Sequence, residues 1–174
     1  MKKAIWLSFC ALVFPGILLL LADVCAADLT VIGGGPSGGK GGSVFVDSVI
    51  GGQKIAEVRI RSGTRIDSIQ VVYRDARIPG SGLSARPKHG GNGGSLAVFE
   101  LSPDEHIVSI GGKYGDCIDS LWIRTSKGRF QRWGGNGGSV DFHYAAPDGW
   151  MISSFWGRSG TYLDSIGVQM SATE

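Results

Sequence analysis

The sequence predicts an all-β protein, a closed prism of three four-stranded sheets, and three observations lead there. First, a double-glycine loop is written three times, as Gly38-Gly39-Lys40-Gly41-Gly42-Ser43, Gly90-Gly91-Asn92-Gly93-Gly94-Ser95 and Gly134-Gly135-Asn136-Gly137-Gly138-Ser139. Second, each loop is followed by a Gly-x-x-x-Asp-Ser motif whose aspartate, Asp67, Asp119 or Asp164, lies 29, 29 or 30 residues beyond the loop start. Third, apolar residues keep step with the motifs. Twelve places before the aspartates stand Ile55, Ile107 and Ile152; nine before, Val58, Ile110 and Phe155; one before, Ile66, Ile118 and Leu163; two after, Ile69, Leu121 and Ile166. One loop or one motif is common by chance. Three of each in register mark an internally repeated unit with a shared core.

The elements follow in chain order. Lys2 and Lys3 precede an apolar run broken by Pro15-Gly16, and Val24-Cys25-Ala26 then offers small residues for signal-peptidase cleavage. Residues 1–26 are therefore expected to be a removable signal peptide of a secreted, extracellular protein that keeps no stable membrane insertion. The competing reading is a retained anchor, since the run approaches the roughly 20 residues that span a bilayer. From residue 27 to 174 nothing has helical periodicity. Val58-Arg59-Ile60-Arg61, Ile69-Gln70-Val71-Val72-Tyr73 and Leu121-Trp122-Ile123-Arg124 read as short strands. Turn signals are dense, among them Ile78-Pro79-Gly80, Ser102-Pro103-Asp104, Lys127-Gly128 and Pro147-Asp148-Gly149. Val44-Phe45-Val46, Leu96-Ala97-Val98-Phe99 and Val140-Asp141-Phe142 flank the glycine loops. Such flanks argue against flexible linkers. One extra residue near Trp150 fits a turn and accounts for the longer third offset.

Composition narrows the function. A formal charge of +2 gives no electrostatic reason to expect nucleic acid. The arginines Arg59, Arg61, Arg65, Arg74 and Arg77 read as a solvated face, or else as a contact for anionic glycans. Cys10 and Cys25 leave with the signal, so Cys117 stands alone. An odd cysteine in an exported chain is a buried thiol or a point of pairing in a homodimer. His89, His106 and His143 lack metal-ligand spacing and a nucleophile partner. Asp75, Asp104, Glu105 and Asp148 fall near turns, where solvated acids are ordinary. Gly33-Gly34-Gly35-Pro36-Ser37-Gly38 matches G-x-G-x-x-G without a following helix, so no dinucleotide site is expected. Asp116 and Asp119 form the one close carboxylate pair in a candidate site, too little for a glycoside hydrolase. No catalytic residue, cofactor or metal is expected.

The paired motifs suit a sugar. An ionised aspartate offers about four acceptor positions, enough for two neighbouring hydroxyls, and such charge-assisted bonds are roughly twice as strong as neutral ones. Backbone N–H groups in tight turns supply donors to the sugar oxygens. Glycine removes the Cβ that would hold a ring off the main chain.

The segment Gly35-Pro36-Ser37-Gly38-Gly39-Lys40-Gly41-Gly42 and the ending Phe155-Trp156-Gly157-Arg158-Ser159-Gly160-Thr161-Tyr162-Leu163-Asp164-Ser165-Ile166-Gly167 resemble the opening and closing motifs of jacalin-related lectins. The middle and end are also similar to the zymogen-granule lectins of that family. The triple pairing of loop and motif resembles its griffithsin-like members. The resemblance covers residues 31 to 170. It implies a jacalin-type lectin domain over 27–174 with the β-prism I fold, three four-stranded Greek-key sheets with pseudo-threefold symmetry, and reversible carbohydrate binding. It implies three carbohydrate-binding sites. The first joins Asp164 and the amides of Thr161 and Tyr162 to Gly42; the second joins Asp67, Thr64 and Arg65 to Gly94; the third joins Asp119, Asp116 and Cys117 to Gly138.

Family members with an uncut glycine loop prefer mannose or glucose, so mannose-type and high-mannose glycans are the implied partners. Griffithsin-like sites carry a tyrosine two places before the aspartate. Tyr162 keeps it; Arg65 and Cys117 depart from it. Ser37, His89 and Trp133, just ahead of the loops, are candidates for tuning selectivity. The alternative function is an adhesion or structural module whose prism surface binds protein or anionic glycans.

Overall fold

A computed structural model describes residues 32–78 and 80–173, and the expected signal segment 1–26 lies outside them, as does Pro79. Every regular element among the described residues is a strand. In chain order these are β1 (Ile32–Gly38), β2 (Ser43–Val46), β3 (Gln53–Ser62), β4 (Ile66–Asp75), β5 (Ser84–Ala85), β6 (His89–Gly90), β7 (Ser95–Glu100), β8 (Ile107–Tyr114), β9 (Ile118–Thr125), β10 (Phe130–Gly134), β11 (Val140–Ala145), β12 (Trp150–Ser159) and β13 (Leu163–Ala172).

All pairings are antiparallel, and they group into three four-stranded units. The third unit has spatial order β11-β8-β9-β10. The second has β7-β3-β4, with β5 and β6 sharing the fourth place. The first has β2-β12-β13-β1, so it takes two strands from each end of the chain. Each order is that of a Greek key, in which the fourth strand returns beside the first. A single pairing between Ile107 and Ile152 joins the first and third units.

The apolar positions read from the sequence line one shared core. Val58, Ile110, Phe155, Ile66, Ile118, Leu163, Ile69, Leu121 and Ile166 are all fully buried, and Ile55, Ile107 and Ile152 nearly so. Their spacing has a structural reason. Ile55 and Val58 are three apart, an odd number that would place them on opposite faces of a regular strand. The β3–β4 register skips Ala56, and the equivalent ladders skip Val108 and Ser153. One extra residue per strand is a β-bulge, and it turns both apolar residues inward. Phe45, Phe99 and Phe142 then close the core from the outer strands.

Three seams join the sheets. Ser37 Oγ meets the Tyr144 hydroxyl at 2.5 Å. His89 stacks on Phe45 with ring centroids 3.9 Å apart and bonds the buried Asp47 carboxylate at 2.8 Å. Trp133 meets the Phe99 ring edge-on at 5.6 Å. The side chains of Ser37, His89 and Trp133, read from their position as candidates for tuning selectivity, are thus partly buried in packing between sheets.

Other expectations are corrected too. The arginine cluster is partly exposed, as a solvated face requires, but its members also have protein partners. Arg59 pairs with Glu57 at 2.8 Å, Arg74 bonds the Leu101 carbonyl, and Arg77 pairs with Asp75. Glu105 is not a solvated turn acid. It is 2% exposed and receives Arg129, the residue just before β10, at 2.9 Å. Trp150 is the first residue of β12, and the turn occupies Asp148 and Gly149 just before it.

Truncating a core ring should cost far more than truncating an outward valine. Phe155→Ala is expected to destabilise the domain by about 3–5 kcal/mol, and Val44→Ala by less than about 0.5 kcal/mol. Urea unfolding followed by tryptophan fluorescence checks the difference; equal midpoints would refute the shared core.

Candidate functional site

The three aspartates occupy the same backbone irregularity. In β3–β4, Ile66 pairs with Ser62 and Ser68 with Arg61, which leaves Asp67 unpaired between them. Asp119 is left out likewise between Ile118 and Ser120, and Asp164 between Leu163 and Ser165. A bulge re-aims its extra residue and frees its backbone groups from the ladder. The freed carbonyls have a common use. Asp164, Asp67 and Asp119 accept the N–H of Gly39, Gly91 and Gly135 at 2.8, 3.0 and 2.9 Å. The second glycine of each loop is thus tied to the main chain of its aspartate. The turns before the aspartates are closed alike, with Gly63, Gly115 and Gly160 donating to the carbonyls of Arg65, Cys117 and Tyr162.

The loops then wrap the carboxylates. A Cβ on Gly41 would stand 2.6 Å from Asp164 Oδ1, and one on Gly42 would stand 2.6 Å from Oδ2. Gly93 and Gly94 approach Asp67 in the same way, and Gly137 and Gly138 approach Asp119. Gly42, Gly94 and Gly138 also have φ of 58°, 57° and 77°, which side chains with a Cβ adopt rarely. The structure therefore brings together all three expected pairs, Asp164 with Gly42, Asp67 with Gly94 and Asp119 with Gly138.

Basic residues brace all three loops, two of them from the same position in the repeat. Arg158 donates to the carbonyls of Gly41 and Gly42 at 2.8 and 2.6 Å, and Arg61 to those of Gly93 and Gly94 at 2.8 Å each. Both lie six places before their aspartate. The third residue at that offset is Lys113, which instead faces Asp141 at 3.9 Å. Arg132 reaches the Gly135 carbonyl in its place. The sequence contained this signal, a basic residue at one offset in all three motifs, and the reading of a general arginine face passed over it.

The three cradles share one end of the prism and interlock. Positions for a Cβ on Gly39, Gly91 and Gly135 are filled by the carbonyls of Asp116, Thr161 and Thr64, each from the motif of another sheet. The residues two before each aspartate converge between them. The Arg65 guanidinium lies 4.8 Å over the Tyr162 ring, and Arg65 Nη1 points to Cys117 Sγ at 3.7 Å. Cys117 is buried, so its thiol faces this junction and cannot line an open cradle as a side chain. Burial pushes the Cys117 thiol pKa up, the neighbouring Arg65 opposing it. Asp116, Thr64 and Thr161 stand exposed at the rim.

The carboxylates differ in surroundings. Asp67 is 7% exposed, while Asp119 and Asp164 are half-buried. Asp164 Oδ2 is buried and has no hydrogen-bond partner among the described residues. Burial pushes the Asp164 carboxyl above its ordinary pKa, against the Gly160 N–H and Arg158, which favour the ionised form. Among the described residues no group of three or more His, Cys, Asp or Glu is placed to share a metal ion.

Comparison with known proteins agrees with this geometry. Residues 34–169 match the jacalin-like lectin domain. The chain is 34% identical to horcolin of Hordeum vulgare over 144 residues, covering 79% of this chain and 94% of that protein. It is 30% identical to a mannose/glucose-specific lectin of Parkia pendula over 139 residues, 77% of this chain and 30% of that longer protein. Among solved structures, Malaysian banana lectin superposes with a TM-score of 0.72 at 26% identity, covering 82% of this chain and 99% of that one. Artocarpin complexed with Me-alpha-mannose gives 0.71 at 28%, covering 81% and 97%. The chain belongs to the jacalin-like lectin family, whose members are carbohydrate-binding and not enzymes.

Asp164 and Glu105 should respond oppositely to neutralisation. The folded state holds the Asp164 proton more tightly than the unfolded state, so ionised Asp164 costs stability above its folded pKa and nothing below the unfolded one. Burial penalises the Glu105 carboxylate, yet the neighbouring Thr125 hydroxyl and the bonds from the Ser102 N–H and Arg129 outweigh that and hold its pKa down. Its contribution is present above the unfolded pKa and is lost as pH falls through the folded one. Near neutral pH, Asp164→Asn is expected to unfold at equal or higher urea than wild type, and Glu105→Gln at lower urea. A drop in midpoint for Asp164→Asn matching that of Glu105→Gln would contradict the reading of Asp164 as a carboxylate held at a cost.

Proposed function

We propose that the chain is a secreted lectin for mannose-type glycans that binds through up to three metal-independent sites at one end of the prism. The carrying observation is the bulge-borne aspartate wrapped by two glycines without side chains, with Asp164 Oδ2 buried and lacking a donor. The other carboxylate positions and the turn amides at Thr161 and Tyr162 serve the sugar's hydroxyl and ring oxygens. In this reading Thr64, Arg65 and Gly94 serve Asp67, while Asp116, Cys117 and Gly138 serve Asp119 through the main chain. The mannose preference is supported by two relatives, the mannose/glucose-specific Parkia lectin and artocarpin with its bound mannoside. Secretion rests on the sequence of residues 1–26.

The sites are ranked by their bracing. Asp164 keeps Tyr162 and has Arg158 on its loop; Asp67 has Arg61; Asp119 has a buried thiol in place of the tyrosine and Lys113 in place of the arginine. Titration calorimetry with methyl mannoside should show binding that survives excess chelator. Loss with chelator and recovery with calcium would sink the metal-free mechanism. Asp164→Asn should weaken monosaccharide binding more than Asp119→Asn, by about 1.5–3 kcal/mol if a charged hydrogen bond is lost.

One shallow site should be weak, on the order of millimolar, because few atoms are buried. Rigidly spaced sites can raise avidity for a branched glycan by about 10²–10⁴. Asp67→Asn/Asp119→Asn should therefore lose most agglutination while keeping methyl mannoside binding. A double variant that agglutinates as well as wild type, both confirmed as monomers, would refute multivalency.

A further inference from the structure

The outward face of the third sheet carries an aromatic and cationic cluster. The register of β10, β9, β8 and β11 sets out its rows. One row reads Arg132, Trp122, Gly111, His143, and the next reads Phe130, Arg124, Ser109, Ala145. Gly111 matters here. A Cβ there would stand 2.7 Å from Trp122 Cε2, so its absence lets the indole lie flat across the strand toward His143, with centroids 5.3 Å apart. Phe130 extends the platform on the other side at 5.6 Å and is 50% exposed. A cleft of about 800 Å³ runs from Trp122 and His143 past Arg124 to His106 and Trp150.

Cations frame these rings. The exposed Arg124 guanidinium lies 5.5 Å over Phe130 and has no hydrogen bond or ion pair among the described residues. Arg132 and Lys113 share the face but have partners, the Gly135 carbonyl and Asp141, and Asp148 lines the cleft as well, so Arg124 is the cation that stands open. On the equivalent face of the second sheet Arg59 is paired with Glu57 and Arg61 with the loop carbonyls, so neither stands open as Arg124 does.

We propose that this face is a second glycan site, for an acidic polysaccharide carrying sulfate or carboxylate groups. The C–H face of a pyranose is apolar and suits a flat indole, which presents an apolar surface with a polar edge. Guanidinium groups meet sulfate or carboxylate with paired N–H donors, which a neutral sugar does not need. Each row sets a ring beside a guanidinium, Trp122 by Arg132 and Phe130 by Arg124, as a sugar face and an acid group stand side by side along such a chain. The face adjoins the third cradle through Arg132, but Arg124, Phe130 and Trp122 touch no cradle residue and the site does not depend on the cradles' function.

The test uses a heparin-derived hexasaccharide, its desulfated counterpart and methyl mannoside, in titration calorimetry at low ionic strength. Wild type should bind the sulfated hexasaccharide, with affinity falling as salt rises, and not the desulfated one. Arg124→Glu should weaken it roughly fivefold or more, the scale of an exposed charge pair lost and reversed. Phe130→Ser should weaken it as well. Both should leave methyl mannoside binding unchanged, and Asp164→Asn should do the reverse. The Trp122 indole N–H resonance should shift with the hexasaccharide, which decides the matter if a variant fails to fold. The proposal is overturned if wild type does not bind, if desulfation makes no difference, if methyl mannoside competes, if both variants bind as wild type, or if the indole resonance does not move.

Discussion

The bulge at each aspartate is the constraint on which the rest depends. A regular ladder would point Asp67, Asp119 and Asp164 alternately inward or outward and engage their carbonyls in strand pairing. Skipping one residue does two things at once. It turns the carboxylate toward the glycine loop, and it releases a carbonyl to accept the second glycine's N–H at about the ordinary 2.9 Å. The loop is fixed to the same residue that it wraps. The apolar residues on either side, one before and two after the aspartate, reach the core only because of that extra residue. Core and site are therefore set by the same irregularity, and a substitution that regularised the strand would damage both.

The interlocking of the three loops adds a second level. Each second glycine rests on a carbonyl from another sheet's motif, and Arg65 spans Tyr162 and Cys117 at their junction. No cradle is assembled from one sheet alone. Side chains at these glycines would meet backbone, which yields less readily than a flexible neighbour. The departures from a tyrosine at each junction position have a packing explanation as well. An arginine stacked on the one tyrosine, with a small buried thiol beside it, fills the space without a second or third ring.

Much of this was legible in the chain. The offsets of Asp67, Asp119 and Asp164 from their loops gave the three sheets, and Ile55 with Val58 and their counterparts gave the core, because period and burial are local properties of a strand. The odd spacing of those pairs also implied the bulges, although the count alone could not say where the extra residue falls. What stayed hidden depended on the third dimension. Ser37, His89 and Trp133 look available beside their loops, yet the prism turns them into seams against Tyr144, Phe45 and Phe99. Glu105 reads as a turn acid until the fold brings Arg129 over it. Arg61 and Arg158 are ordinary strand cations in sequence, and only the closeness of the loop carbonyls reveals them as braces.

The first sheet joins the two ends of the chain, and this has a consequence for the order in which the molecule can be completed. Asp67 with Gly94 and Asp119 with Gly138 lie within 27 and 19 residues of one another, whereas Gly42 must wait for Asp164. Contacts so distant along the chain carry the largest loop-closure entropy and form slowly. A chain interrupted before β13 holds every component of the second and third cradles and half of the first. An intact Asp164 cradle is thus a signature of a chain made and folded from end to end.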